Sequence, residues 1–404
     1  MKKFIKRADL ILSAICLVIF SLIVGGQYFL PESVCFYDGK TETDIYAVFH
    51  VAETKTDIVS VSTVGSENCT ADVSLFGIIP VGKVNAEKTE RKYVHVGGDV
   101  IGIRLYTDGI LVVSTDDVVT ADGNVNPGEM CGIQAGDMIL EINDEIVCSV
   151  SDFSNAVISC GGNDVSITVL RNNEKLYFSL TPVYSETEGK YRCGLWLRDS
   201  TAGIGTLTFA DPKTNMFASL GHAICDSETQ SVLPVGDGDI LSAAISGVTR
   251  GEKGTTGQIK GNFGNEILGE LTENNEFGVY GIFSDTDILY GDLLPVASQT
   301  EIETGEAQIL CNVDGSGTEC YDIEIEKITY SNSKTSRSMV IEVTDPNLLS
   351  VTGGIIQGMS GSPIIQNGML VGAVTHVFLN DPTRGYGIFA ETMVSEAERI
   401  CNAE

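Results

Sequence analysis

The stretch Gly358-Met359-Ser360-Gly361-Ser362-Pro363-Ile364-Ile365-Gln366-Asn367-Gly368-Met369-Leu370-Val371-Gly372-Ala373-Val374-Thr375-His376 decides how the rest of the chain is read. Asn367-Gly368 lies between two apolar runs, and Asn-Gly best tolerates the two positive φ angles of a type I′ hairpin turn. The second half therefore predicts two strands joined by a tight turn. The first half brackets a serine with glycines in a segment too glycine-rich for a helix, so backbone N–H groups can turn inward around the hydroxyl. A developing oxyanion needs that arrangement.

The pattern resembles the nucleophile loop of chymotrypsin-like serine proteases, where Gly-Asp-Ser-Gly-Gly-Pro precedes an Asn-Gly hairpin and a strand that pairs with substrate. Met359 and Ser362 stand where that pattern has Asp and Gly. In those proteases the Asp meets a freed N-terminus, so its replacement argues against such a zymogen switch. The esterase pattern G-x-S-x-G is excluded, because its fifth position is Ser362 and no strand-to-helix elbow is evident.

A serine hydroxyl is a weak nucleophile at neutral pH, so Ser360 needs a base, and histidine titrates in the right range. The chain has 4 histidines. His50 and His95 fall in modules that do not hold Ser360, which leaves His222 and His376. His222, in Gly221-His222-Ala223-Ile224-Cys225-Asp226, follows an apolar run beside a glycine and is read as the base; His376 is read as a structural or substrate-strand residue. The acid is not unique, since Asp345, Asp285 and Asp287 all precede Ser360, while Asp226 reads as the cap of a local turn. The N–H groups of Gly358 and Ser360 are expected to hold the oxyanion.

Composition narrows the partners. The 404 residues carry a formal net charge of −30, which argues against nucleic acid as a partner and leaves a solvated acidic surface as the simplest expectation. The 11 cysteines form no C-x-x-C pair, so neither a metal nor a cofactor is expected. Cys311 and Cys320 are close enough in sequence to close one loop, or to stand as two buried thiols. Residues 10–30 are apolar and almost uncharged, long enough to cross a hydrocarbon core of about 30 Å. Lys2, Lys3, Lys6 and Arg7 all precede them, so the bulk of the chain is expected outside the cytoplasm, anchored by this helix or secreted after its removal.

The expected organisation is a cytoplasmic tail at 1–8, a transmembrane anchor at 9–30, a β-rich spacer at 31–94, a separate module at 95–186 and the Ser360 domain at 187–404. In the module, strand-like Ile101-Gly102-Ile103-Arg104-Leu105 and Ile110-Leu111-Val112-Val113 precede Gly136-Asp137-Met138-Ile139. Phe153, Ala156, Val157 and Cys160 then recur at helical spacing after Ser151 as N-cap. The module resembles a PDZ domain of the bacterial protease-associated type. Such domains add a peptide or chain end to an exposed strand, and matching the motif puts the carboxylate-holding loop at Val100, Ile101, Gly102 and Ile103. Residues 190–404 alternate short β runs with Gly-rich turns until Met393, Ala397 and Ile400 mark a terminal helix, so the chain is predicted to be mainly β, with a chymotrypsin-like double β-barrel peptidase domain.

Taken together, the apolar segment, the PDZ-like module, Gly221-His222, Val343-Thr344-Asp345-Pro346 and the Ser360 loop resemble the stage IV sporulation protein B family of serine peptidases. The resemblance implies a catalytic His222, Asp345 and Ser360, and so selects Asp345 as the acid. It also implies an endopeptidase in the space between the forespore membranes, which cleaves a membrane-anchored regulatory protein and itself, so that an intramembrane protease can mature a sigma factor. An alternative of another class is a peptide-binding adaptor whose protease-like domain is an inert scaffold.

Overall fold

The computed structural model describes residues 33–37, 41–45, 48–54, 67–285, 291–330 and 335–403, with 13, 17–21 and 23–24 near the N-terminus. The expected anchor falls largely outside these residues, and among those described no helix is long and apolar enough to cross a membrane.

Twelve antiparallel strands form two barrels and are numbered in chain order. The first barrel takes β1 (Val100–Thr115), β2 (Leu195–Ala210), β3 (Met216–Ser219), β4 (Val235–Thr249), β5 (Gln258–Asn275) and β6 (Gly278–Phe283). They pair in the order β1-β4-β5-β6-β3-β2, and β2 returns to β1 to close the ring. The second takes β7 (Gly305–Cys311), β8 (Glu319–Ile328), β9 (Met339–Val343), β10 (Pro363–Gln366), β11 (Met369–Phe378) and β12 (Asp381–Phe389), closed in the order β7-β8-β9-β12-β11-β10. The Asn367-Gly368 turn joins β10 to β11 with φ of 52° and 75°, both in the left-handed region that a type I′ turn requires. The double-barrel expectation is met in this form.

The order of modules along the chain is less simple than a boundary at 186/187. Residues 100–107 of β1 lie inside the first barrel, between β2 and β4. Past Gly109 (φ 107°) the same strand enters the PDZ-like module, where Leu111 pairs with Met138 of the strand Met138–Ile142. That module is completed by α1 (Pro127–Cys131), α2 (Val150–Ser159) and strands Val165–Arg171 and Glu174–Leu180. On its other side Leu111 pairs with Arg198 of β2, so the module is inserted between the first two strands of the barrel and shares both. The N-cap of α2 is Ser149, whose hydroxyl accepts from Asp152 N; Ser151 lies inside the helix.

Within the span expected as a β-rich spacer, strands Ser33–Tyr37, Glu42–Ile45, Phe49–Glu53, Glu67–Leu75 and Ile79–Thr89 form a five-stranded sheet. Its Val34, Phe36, Phe49 and Leu75 share one hydrophobic cluster with Ile309, Ile341 and Val371 of the second barrel. Arg91 locks this junction, pairing with Glu301 at 2.8 Å while its guanidinium lies 4.7 Å over the Tyr37 ring. The C-terminal helix α4 (Ala390–Cys401) buries Met393, Ala397 and Ile400, the residues its sequence period selected. Cys311 and Cys320 are free thiols, one buried and one exposed, because the register sets Cys311 opposite Glu319 and turns Cys320 outward.

Asp137 shows why the Gly-Asp pair belongs to the module. Its side chain is 1% exposed and receives both Arg171 Nε (2.6 Å) and Nη2 (2.7 Å), together with the Gln134 N–H at 2.8 Å. Asp137→Asn strands the guanidinium, and we expect a loss of ~2 kcal/mol in urea unfolding. This is less than the roughly 3–5 kcal/mol of a fully buried pair, because Arg171 remains 24% exposed. An unchanged midpoint would contradict this account.

Candidate active site

A cleft of about 460 Å³ between the barrels is lined by Ser360, His222, Thr375 and His376 among largely apolar neighbours such as Ile204, Leu220 and Ile356. Ser360 stands on the loop that leads into β10. Met359, where the chymotrypsin-like pattern has Asp, is fully buried in the second barrel's core. Two consecutive left-handed residues, Leu220 (φ 65°) and Gly221 (φ 68°), turn the chain out of β3 and present His222. A Cβ on Gly221 would come within 2.8 Å of the Thr375 side chain and 2.9 Å of Ile388, so this position needs glycine for space as well as for its backbone angle.

The loop around Ser360 is held almost peptide by peptide. Ile259 N donates to Gln357 O at 2.8 Å and Ser362 N to Met359 O at 3.0 Å. Thr206 of β2 donates from Oγ1 to Gly358 O at 2.7 Å and from its N–H to Ser360 O at 3.0 Å. Met359 N and Gly361 N donate to Ile356 O and Val374 O. In a planar trans peptide the N–H points away from its own carbonyl. The N–H groups of Gly358 and Ser360 therefore face away from these partners, and among the described residues nothing accepts from either.

His222 Nδ1 lies 2.8 Å from Ala223 O. A carbonyl can only accept, so Nδ1 carries the proton and Nε2 keeps its lone pair, the tautomer a general base requires. Burial pulls the His222 pKa below 6.5. Ser360 Oγ donates to Thr375 O at 2.8 Å, so in this arrangement the hydroxyl rests on a backbone carbonyl rather than on the imidazole.

Two of the expected placements differ in the structure. The structure brings Ser360 and His222 together but does not bring Asp345 to them. Its Oδ1 accepts from Asn347 N (2.8 Å) and Leu348 N (3.1 Å), capping α3 (Pro346–Thr352), and it does not line the cleft. An Asp before Pro at a helix start satisfies the first N–H groups, which accounts for Val343-Thr344-Asp345-Pro346 without catalysis. Asp226, for its part, pairs with Arg198 and accepts from Glu228 N and Thr229 N. The second concerns Val100, Ile101, Gly102 and Ile103: β2 pairs with all four and β4 takes the other edge of residues 101–103, so that Gly102, for instance, faces Ile204 of β2 and Leu241 of β4 and no edge is left for a peptide there. A Cβ on Gly102 would meet the Phe263 ring at 2.5 Å, so the glycine serves barrel packing.

A second groove of about 370 Å³ lies beside α2, between Val150, Phe153 and Val157 on the helix and Gly194, Leu195 and Trp196 at the start of β2. Gly194 (φ 66°) makes the turn into it. Gly128 N and Asp116 N hold the carbonyls of Cys193 and Gly194. Sequence reading passed over this turn because it lies beyond the module's apparent end, although Cys193-Gly194-Leu195 carries the same glycine-between-apolars signal. Thr206, Ala223 O and Thr375 O were not legible at all, since two of them act through backbone atoms.

Comparison with known proteins adds two family matches: residues 189–394 match the family described as SpoIVB peptidase S55, and residues 126–171 match the PDZ domain. None of the curated proteins searched matches. Among solved structures, the PDZ domain of the SdrC-like protein from Listeria monocytogenes is 26% identical, covering 22% of this chain and 87% of its own, with a TM-score of 0.18. The active form of Rv3671c protease from M. tuberculosis is 14% identical over 50% of this chain and 74% of its own, TM-score 0.31. The HtrA-type protease AlgW with decapeptide is 11% identical over 51% and 55%, TM-score 0.29.

Both histidines predict a pH dependence. A base must be neutral, so the acidic limb of kcat/KM should have its midpoint below 6.5. His376 is drawn down to about 4 by burial and by the neighbouring His222 and Arg337. With both pKa values depressed on folding, the unfolded chain binds protons first, so stability is whole above about 6.5 and falls as pH drops towards about 4. Urea midpoints between pH 7 and 4 read this directly, and a flat profile would contradict the burial of the pair.

Proposed function

The chain belongs to the SpoIVB peptidase S55 family, and from that premise we propose that this PDZ-containing serine peptidase is a membrane-anchored signalling endopeptidase of sporulation. Its substrate would be a membrane-bound regulator whose cleavage releases intramembrane processing of a sigma factor precursor, and the chain would also cleave itself. The observation that carries the chemistry is one cleft holding Ser360, a His222 protonated on Nδ1 and two N–H groups that have no acceptor among the described residues.

In the proposed reaction Ser360 Oγ leaves Thr375 O and attacks the scissile carbonyl as His222 Nε2 takes its proton. The N–H groups of Gly358 and Ser360 receive the oxyanion, already oriented because Ile259 N and Ser362 N hold the carbonyls of the same two peptides, Gln357 O and Met359 O. His222 then passes the proton to the leaving amine, and water repeats the sequence on the acyl enzyme. A fluorophosphonate probe should label wild type at one serine and leave Ser360→Ala unlabelled. Ser360→Ala and His222→Ala should each lose several orders of magnitude in turnover while remaining folded by circular dichroism. Asparagine caps a helix as well as aspartate does, so Asp345→Asn should stay within a few-fold of wild type. A collapse in folded Asp345→Asn would restore that carboxylate as the acid. In the inert-adaptor alternative Thr375 O would hold Ser360 throughout, and folded wild type would then show no probe labelling.

For the PDZ domain we propose that a chain end or extended peptide adds to residues 195–197, with an apolar side chain against Phe153 and Val157. Trp196 is the chain's only tryptophan, is 62% exposed and lines this groove. Its emission should shift and saturate on titration with peptides ending in an apolar residue, and the response should vanish in Val157→Glu. A response that survives in that variant would place the peptide elsewhere.

A further inference from the structure

His376 has no part in the reaction as written, yet the fold goes to some length to place it. In the pairing of β11 with β12, Val374 faces Gly387 and Val377 faces Gly385, so Thr375 and His376 together oppose one residue. Such a bulge re-aims the groups it carries. Here it sends the Thr375 carbonyl to Ser360 and lays the His376 ring against that of His222, with centroids 4.8 Å apart and planes tilted by 41°. His376 Nδ1 is buried and has no hydrogen-bond partner among the described residues. A buried ring nitrogen without a partner is unfavourable, and native proteins seldom keep one without a use for it.

The chemistry of the base has a matching gap. Among the described residues no carboxylate lines the cleft. Ala223 O fixes the tautomer of His222, but a neutral carbonyl stabilises an imidazolium less than a carboxylate would. A dipole that becomes engaged only when His222 is charged would fill that gap.

We propose that His376 is a positioning residue for His222, its Nδ1 lone pair free at rest and turned to the imidazolium that forms when His222 takes the Ser360 proton. The inference rests on Ser360 and His222 being nucleophile and base. His376 does not itself accept the proton, which moves from Ser360 Oγ to His222 Nε2 and on to the leaving amine. Burial, the nearby His222 and the Arg337 guanidinium, which lies over the Tyr386 ring, all keep His376 neutral, and a neutral imidazole keeps one ring nitrogen as an acceptor. An interaction made only as charge develops raises kcat and leaves KM nearly unchanged.

Two substitutions separate this role from simple packing. His376→Phe keeps a ring and removes the acceptor, whereas His376→Asn loses the ring but sets an amide oxygen near the position of Nδ1. We expect His376→Phe to lower kcat about 10- to 100-fold with little change in KM, and His376→Asn to recover most of that loss. Packing alone would reverse the order, so a phenylalanine variant that outperforms the asparagine variant overturns the proposal, as does wild-type kcat in His376→Phe. Ser360→Ala and His222→Ala are measured alongside in the same full chain. If both are inactive and His376→Phe is not impaired, only the role of His376 falls. If either turns over normally, the assignment of nucleophile and base falls first.

Discussion

Thr206 holds the carbonyl oxygens of Gly358 and Ser360 at 2.7 and 3.0 Å, and the rest of the site follows from that grip. It comes from the first barrel and closes on the loop of the second, so the two barrels share the orientation of four successive peptides. Thr206 is itself fully buried, and Ser219 Oγ secures its carbonyl at 2.7 Å. The peptides that carry the Gly358 and Ser360 N–H groups alternate with those Thr206 grips and are held by Ile259 N and Ser362 N, and donors fixed in this way need no reorganisation when charge develops between them.

The same dryness explains the state of the imidazoles. Burial favours the neutral form of both His222 and His376, so the site holds its base ready at the cost of making its charged form harder to reach. In a serine peptidase with an acid at the base, a carboxylate offsets that cost. Among the described residues no carboxylate lines this cleft, and Ala223 O is the dipole that holds the His222 ring. Leu220, a non-glycine residue in the left-handed region, belongs to the same arrangement, since strained backbone persists where surrounding contacts over-determine it.

What could be read from the chain was local. The Asn367-Gly368 turn, the glycine-bracketed serine, the period of Met393, Ala397 and Ile400 and the Gly-Asp of the PDZ domain each depend on neighbours a few residues away, and all stand where expected. Asp345 misled because a helix cap and a catalytic acid ask for the same residue, and only the partner of its oxygens tells them apart. Residues 100–103 misled because a carboxylate-holding loop and a barrel strand can share one apolar-glycine pattern. The decision rests on β2 and β4, which arrive about a hundred residues later in the chain and flank both edges. Strand pairing at such separation leaves no trace in local periodicity.

β2 runs unbroken from the peptide groove at Leu195 to the wall of the catalytic cleft and on to Thr206. Because the PDZ domain lies between β1 and β2, neither module can be completed on the ribosome before the other is under way. The domain lacks a wall of its groove until residue 198 has emerged, and residues 100–107 wait unpaired for β2 and β4. Contacts this distant close slowly and leave open strand edges in the meantime. A nascent chain of this design stays without a cleft for most of its synthesis, and so without peptidase activity until the last strands of the second barrel are made.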